Sequence, residues 1–574
     1  MLFNVTLHLA LAALFFGMAW RLWTWLSWDF AASIPTAGPA QRLRAAIKGI
    51  AQSFTSLEGL RRLAEAIFLD GIFQRRVLRE SPWRWLAHQG IFWGFVLLIL
   101  FHALENQVSE RLFSDYYSTL APFSMIRDIL GLAVFLGLLG FAWRRWADPV
   151  VRRTTRLWDV AILVLLAIII LTGFGLKAVK ITSQARFDEM VEEYAGLEPG
   201  PEFTALQAYW QDEYGVVFAD GLIPADPKTL ALGSEANQSY CADCHSRPQE
   251  AFGSYALSRL LKPAAVALNS VRTDHWLLLV HYLACFLALA ILPFSKLLHI
   301  FTTPLSLLVD AIMGRSSVSE QAQPAARAAR LALALDACTG CATCSQHCSV
   351  LAASKVIGED VALPSLKLAA MAGLKHKSSS ELSILRRGAD LCTRCQRCTM
   401  VCPAGIDLQD MWLALDDEME SRGRVPVYQW ARGALVDNHV ANGDNGDSPE
   451  QEILEVPGET RELGVLDMAL QQGYFRYCFQ CQTCSNVCPV VSCFEHPGEA
   501  LGLLPHQIMY SLELGLVKQA VAAAMTWDCA TCYQCQQECP QGVPVTDLLY
   551  ELRSQGFWLS GDGEPARKKE GEHS

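Results

Sequence analysis

At 574 residues, with 52% hydrophobic and only 18% charged side chains, the chain departs from soluble proteins, in which about 25% of residues are charged. The deficit excludes an ordinary soluble domain and points to membrane spans. A formal charge of −11 argues against nucleic-acid binding, and 20 cysteines are too dilute for a small disulfide scaffold.

Five apolar runs, 3–26, 86–104, 122–143, 157–179 and 275–299, are each long enough for a helix to cross about 30 Å of hydrocarbon. The first has no Lys or Arg before Arg21 and ends in Trp20, Trp23, Trp25 and Trp28, so it reads as an uncleaved span with an interfacial aromatic belt rather than a signal peptide. Basic residues crowd 28–84 (Arg42, Arg44, Lys48, Arg61, Arg62, Arg75, Arg76, Arg79, Arg84) and 144–156, which places both stretches in the cytoplasm. The loop 105–121 holds only Arg111 and belongs outside. A multi-pass protein of the inner (cytoplasmic) membrane follows, with the N-terminus and the 180–274 loop extracytoplasmic and the C-terminal half cytoplasmic.

Histidines at membrane depth are functional hypotheses. His88 and His102 bracket the second run, and His281 and His299 bracket the fifth. At 3.6 residues per turn, His281 and His299 share a helix face and His88 and His102 nearly do. Two antiparallel helices with one imidazole near each end can hold two haem b groups. Topology then pairs His88 with His299 on the cytoplasmic side and His102 with His281 on the outer side. The alternative is four interfacial histidines satisfied by headgroups or carbonyls. His8 and His275 have no matched partner, although His275 is near enough to the outer pair to be a rival ligand. Five spans, an outside N-terminus and paired histidines on spans two and five resemble the membrane cytochrome b (gamma) subunit of respiratory nitrate reductase. Its relatives include the membrane subunits of heterodisulfide reductase and of the sulfite-reduction-associated complex. The resemblance covers about residues 1–300; the spacing on span two is longer than in that family.

Between spans four and five stands Cys241-Ala-Asp-Cys244-His245, the pattern of covalent c-type haem attachment. Two thiols add to the haem vinyl groups while the adjacent imidazole reaches the iron. The rival reading is a disulfide or an incidental match. Met190 is the one methionine in 180–274 and the candidate sixth ligand. This haem is a departure from the nitrate reductase subunit.

After a polar linker near 314–328, four C-x2-C-x2-C-x3-C runs follow: Cys338/Cys341/Cys344/Cys348, Cys392/Cys395/Cys398/Cys402, Cys478/Cys481/Cys484/Cys488 and Cys529/Cys532/Cys535/Cys539. This is the spacing of bacterial ferredoxins, in which the fourth cysteine ligates the other cluster of a pair. Zinc would not demand that spacing four times. Crossed ligation gives four 4Fe–4S sets. We label them A (Cys338, Cys341, Cys344, Cys402), B (Cys392, Cys395, Cys398, Cys348), C (Cys529, Cys532, Cys535, Cys488) and D (Cys478, Cys481, Cys484, Cys539). The second pair of runs repeats the first. Around 474–554, Cys478-Phe-Gln-Cys-Gln-Thr-Cys-Ser-Asn-Val-Cys-Pro and Cys529-Ala-Thr-Cys-Tyr-Gln-Cys-Gln-Gln-Glu-Cys-Pro are similar to the small iron–sulfur subunit of heterodisulfide reductase. The Cys-Cys-Gly motif of that family's disulfide-reducing subunit has no counterpart here, which argues against disulfide reduction by this chain alone. Cys285 and Cys493 are left over and read as packing residues.

The expected architecture is all-α: a five-helix membrane cytochrome b bundle (1–305) carrying the 180–274 insertion, then two α-helical dicluster domains (330–425 and 470–555). A turn-rich linker, 436–462, joins these two, and 560–574 is expected to be a disordered tail. Four 4Fe–4S clusters, two haem b and one haem c make an oxidoreductase subunit for electron transfer. The resemblance implies quinone as substrate and a cytoplasmic redox subunit, heterodisulfide-reductase-like or a flavoprotein, as partner. A periplasmic cytochrome is a further expected partner, and nucleic acid is not. The alternative is a quinone-independent conduit from a periplasmic cytochrome c to cytoplasmic iron–sulfur proteins.

Overall fold

The structure is a computed structural model that describes residues 2–28, 38–313, 324–348, 350–351, 360–374, 377–392, 395–424 and 474–559. The expected linker 436–462 and tail 560–574 lie outside these. Among the described residues the protein is all-α, its one extended pairing being an isolated parallel bridge between Ser183 and Val217. The chain divides into two compact units, one of residues 1–22 and 72–298 and the other of 23–71 and 299–574.

Among the described residues five helices are long and apolar enough to cross a membrane: Leu2–Ser27, Pro82–Ala103, Phe123–Ala147, Leu157–Thr182 and Thr273–Phe294. Within the first unit, spans two and three approach closely because their crossing is lined by glycine. A Cβ on Gly94 would lie 2.4 Å from Val134 Cγ2, and one on Gly137 would lie 2.6 Å from Ala87 O. Two ion pairs within this unit join Asp128 to Lys177 at 2.9 Å and Asp159 to Lys296 at 2.8 Å.

Two sequence expectations need correction. The fifth span ends at Phe294, not residue 299, because Pro293 lacks an N–H and the chain turns through 292–298 before a separate helix, His299–Met313, begins. His281 and His299 therefore do not share one continuous helix face. The 180–274 segment is not a loop but a helical insertion with its own core of Phe187, Leu206, Trp210, Tyr214, Phe218 and Cys241.

In the second unit, helices Pro39–Ser53 and Leu57–Ala64 pack with His299–Met313 and Pro324–Ala337. Trp25 Nε1 donates to Asp336 Oδ2 at 2.7 Å, and Thr302 Oγ1 donates to Asp336 O at 3.1 Å. The two dicluster copies are not independent of one another. Val350, Ala362 and Leu391 of the first are buried in the same core as Cys488, Cys529, Cys535 and Tyr550 of the second.

Candidate redox centres

His102 and His281 come together with ring centroids 6.3 Å apart at an interplanar angle of 45°. Two imidazoles on opposite sides of one metal would have centroids about 6.2 Å apart, from about 2.0 Å between metal and nitrogen and about 1.1 Å between nitrogen and ring centre on each side. The pair thus fits a single six-coordinate iron. Thr172 donates its hydroxyl to Ile168 O at 2.6 Å, so its oxygen accepts from His281 Nδ1 at 3.0 Å and leaves the lone pair of the ring on Nε2. On the other ring, Arg127 Nη2 donates to His102 Nδ1 at 3.0 Å. Arginine can only donate, so Nδ1 is the accepting nitrogen here. Iron at Nε2 would instead put the proton on Nδ1 and release Arg127.

Neither Arg127 nor Thr172 is among the sequence candidates. Arg127 carries a signal, a charge inside an apolar run; Thr172 carries none. Cys285, read from sequence as packing, has its sulfur 4.0 Å from His281 Nε2. His102 lies in a π-helical turn, Ile99–Ala103, which alters the register assumed between it and His88. His88 meets Phe141 edge-on at 5.9 Å. His299 opens its helix in the other compact unit. His8 Nδ1 bonds Asn4 O at 2.6 Å within its own helix, and His275 Nε2 accepts from Arg272 at 2.8 Å.

Helix Pro227–Tyr240 delivers Cys241 into the core of the insertion, and the N–H groups of Cys244 and His245 turn back onto Cys241 O at 3.1 and 2.9 Å. Burial pushes the Cys241 thiol up to about 11 and the His245 imidazole below its usual range. His245 stands edge-on to Trp210 at 5.8 Å, and Met190 packs on the same core. The motif is held against the segment between spans two and three. Thr119 Oγ1 donates to Cys244 O at 2.5 Å, Ser246 N donates to Thr119 O at 3.3 Å, and Ala121 N donates to Ser246 Oγ at 2.8 Å.

Each cysteine run repeats one local device. The residue after the second cysteine is left-handed in all four: Ala342 (φ 62°), Gln396 (60°), Gln482 (62°) and Tyr533 (64°). It initiates a four-residue helix that carries the third cysteine. Non-glycine residues in this region cost about 1–2 kcal/mol each, a strain that persists only where surroundings over-determine it.

The fourth cysteine of each run lies among the first three of the other run in its copy. Burial pushes Cys402 up to about 12, and the thiols acting on it are Cys341 and Cys338. Cys348 is likewise pushed up to about 12 by burial, with Cys392 and Cys398 as neighbours. Cys488 is raised by burial and then by Cys529 and Cys532, and Cys478 by burial and then by Cys481 and Cys539. Cys478, Cys481, Cys484 and Cys539 line one cavity with Phe479 and Met509. Among the described residues no three His, Cys, Asp or Glu side chains close to the spacing of a single metal ion.

A family model described as nitrate reductase gamma subunit matches residues 74–196, and one described as 4Fe-4S dicluster domain matches twice, at 334–406 and 474–543. One subunit of the H(2):CoB-CoM heterodisulfide,ferredoxin reductase of Methanothermobacter thermautotrophicus is 33% identical over 122 residues, 21% of this chain and 62% of that protein. One subunit of the dihydromethanophenazine:CoB--CoM heterodisulfide reductase of Methanosarcina barkeri is 28% identical over 118 residues, 20% of this chain and 45% of that protein. The EtfAB:quinone oxidoreductase of Syntrophomonas wolfei is 30% identical over 134 residues, 22% of this chain and 18% of that protein. The chain spans less than two thirds of each of these relatives, and no solved structure matches it. It is an all-α, multi-pass membrane protein that joins a region matching the nitrate reductase gamma subunit to two 4Fe–4S dicluster domains, and stretches of it are similar to heterodisulfide reductase subunits.

Proposed function

We propose that the protein is a quinol-linked electron-transfer subunit of the inner membrane. It exchanges electrons between a quinone pool, or a periplasmic cytochrome, and a cytoplasmic redox subunit docked on the dicluster domains. The observation that carries this reading is the 6.3 Å separation of His102 and His281 in a chain that also carries four C-x2-C-x2-C-x3-C runs. His102 and His281 are the ligands of one haem b, and a second haem b is expected from the sequence. Cys241 and Cys244 bind haem c covalently, with His245 on its iron. Sets A to D hold the four clusters. The protein's share is to fix positions and potentials, while the cofactors supply one-electron chemistry.

The quinone rests on the company the chain keeps, since relatives are named for a quinone and for dihydromethanophenazine. A specific contact favours the quinone-independent conduit as second reading: Thr119 ties Cys244 to the segment that also supplies Ser118 O to Arg127, the residue on His102. That path would bring electrons from a periplasmic cytochrome to the outer histidine pair without a quinone.

Redox titration of the purified chain with optical and EPR detection tests the proposal. Three haems and four clusters are expected, with b-haem reduction by a quinol analogue. Zinc in place of iron, or no haem, would sink it; haems and clusters that ignore quinol would leave the second reading.

A further inference from the structure

Buried arginines in the first dicluster copy are matched by carboxylates. Arg386 pairs with Asp390 at 2.5 Å and Asp416 at 2.8 Å, and Arg330 pairs with Asp410. Two other buried cations are not. Lys367 is 1% exposed; its Nζ donates to Gly388 O at 3.3 Å and lies 4.3 Å from the centre of the Trp412 ring. Arg553 is 0% exposed; Nε donates to Thr526 O at 2.5 Å, and Nη2 donates to Trp527 O and Cys529 O at 2.8 Å each. Its guanidinium lies 5.4 Å from the centre of the Tyr550 ring, and Nη1 has no hydrogen-bond partner among the described residues. All these bonds go to backbone carbonyls, and among the described residues no carboxylate pairs with either cation. A buried charge left without a counter-ion is strongly destabilising, so something anionic has to stand near each.

Both cations sit at thiol sets, and at particular ones. Lys367 reaches Gly388 O, four residues before Cys392, and lies over Trp412, which is buried in one core with Cys398. Arg553 donates to the carbonyl of Cys529. These cysteines belong to sets B and C. Sets B and C are also the two that meet where the copies join. Cys348 packs on the core that contains Cys488, Cys529 and Cys535, and Tyr550 is buried in that same core.

We propose that Lys367 and Arg553 are fixed counter-charges for the clusters of sets B and C, making these two the higher-potential middle of a relay that runs A, B, C, D. Net charge and hydrogen bonding are what set such potentials, and a buried cation favours the reduced, more negative state. Clusters held by sets A to D would stand in that order along the two copies, with Tyr550 buried where sets B and C meet. At each transfer one centre is oxidised by one electron and the next reduced by one, with no bond or proton changing hands. The relay rests on the electron-transfer reading above; the placement of the two cations does not.

The test is an EPR-monitored potential titration of the purified full chain carrying K367M, R553M, K367R or R553K. Each methionine variant is expected to lower the equilibrium constant for reducing one cluster at least tenfold, about 59 mV for one electron, and to leave the other three within twofold. The charge-conserving variants should stay within threefold of the native chain. Unmoved potentials in both methionine variants, or equal shifts in the charge-conserving ones, would overturn the proposal and leave a structural role that only the melting temperature registers. Should R553M fail to assemble its cluster, K367M decides alone. Absence of all four clusters from the native chain would instead overturn the electron-transfer reading.

Discussion

His102 and His281, 179 residues apart in sequence, face one another at 6.3 Å between ring centroids, close to the separation that two imidazoles on one iron require. Thr172 fixes the orientation of the second ring by accepting from its Nδ1. The substitution His281→Ala is expected to halve the b-haem content measured by pyridine haemochrome. Thr172→Val should keep both haems but weaken the outer one roughly 10- to 100-fold, as loss of an orienting partner does at metal-bound histidines. Full retention of haem in His281→Ala would refute the pairing.

The crossed thiol sets predict which cysteine variants look alike. Cys402→Ser and Cys338→Ser should remove or alter the same EPR signal, and Cys348→Ser should match Cys392→Ser instead. If Cys402→Ser resembled Cys392→Ser, each run would hold its own cluster.

Glu551 gives the dicluster region a pH dependence of definite sign. Burial, and then the nearby Asp547, push its carboxyl up to about 7 from 4.5. The unfolded chain therefore releases this proton at lower pH than the folded chain, and folded stability falls as pH rises between those values. Glu551→Gln should melt higher than the native chain at pH 8 and show a smaller advantage at pH 5. An advantage independent of pH would contradict the sign.

Left-handed positions offer a stability test. Gly542 (φ 65°) follows the last cysteine run and has open space where a Cβ would stand, so Gly542→Ala meets only backbone strain, about 1 kcal/mol. Gln482→Gly removes such strain and should be neutral or stabilising. Thermal melts of the two variants should move in opposite directions or differ by at least that amount.

Much is legible in the sequence because local chemistry dictates it. Apolar length fixes a span, thiol spacing fixes a ferredoxin-type run, and C-x-x-C-H fixes a haem-attachment pattern, since each depends on neighbours along the chain. Hydropathy alone runs the fifth span on to residue 299, because it does not register that Pro293 stops the helix while the chain stays apolar. The insertion reads as a loop in the sequence because its helices are short and its core is assembled from residues scattered between Phe187 and Cys241.

What the sequence determined by itself is therefore the inventory: five spans, four cysteine runs, and the histidines from which pairs could be drawn. Tertiary structure alone decided which groups meet. Nothing in the sequence singles out Lys367 or Arg553; burial in the folded chain does, leaving them 1% and 0% exposed. Val350 and Leu391 read as residues flanking cysteines until they enter the core of the other copy. Burial and long-range contact depend on how separate segments fold together, and no local pattern in the chain encodes them.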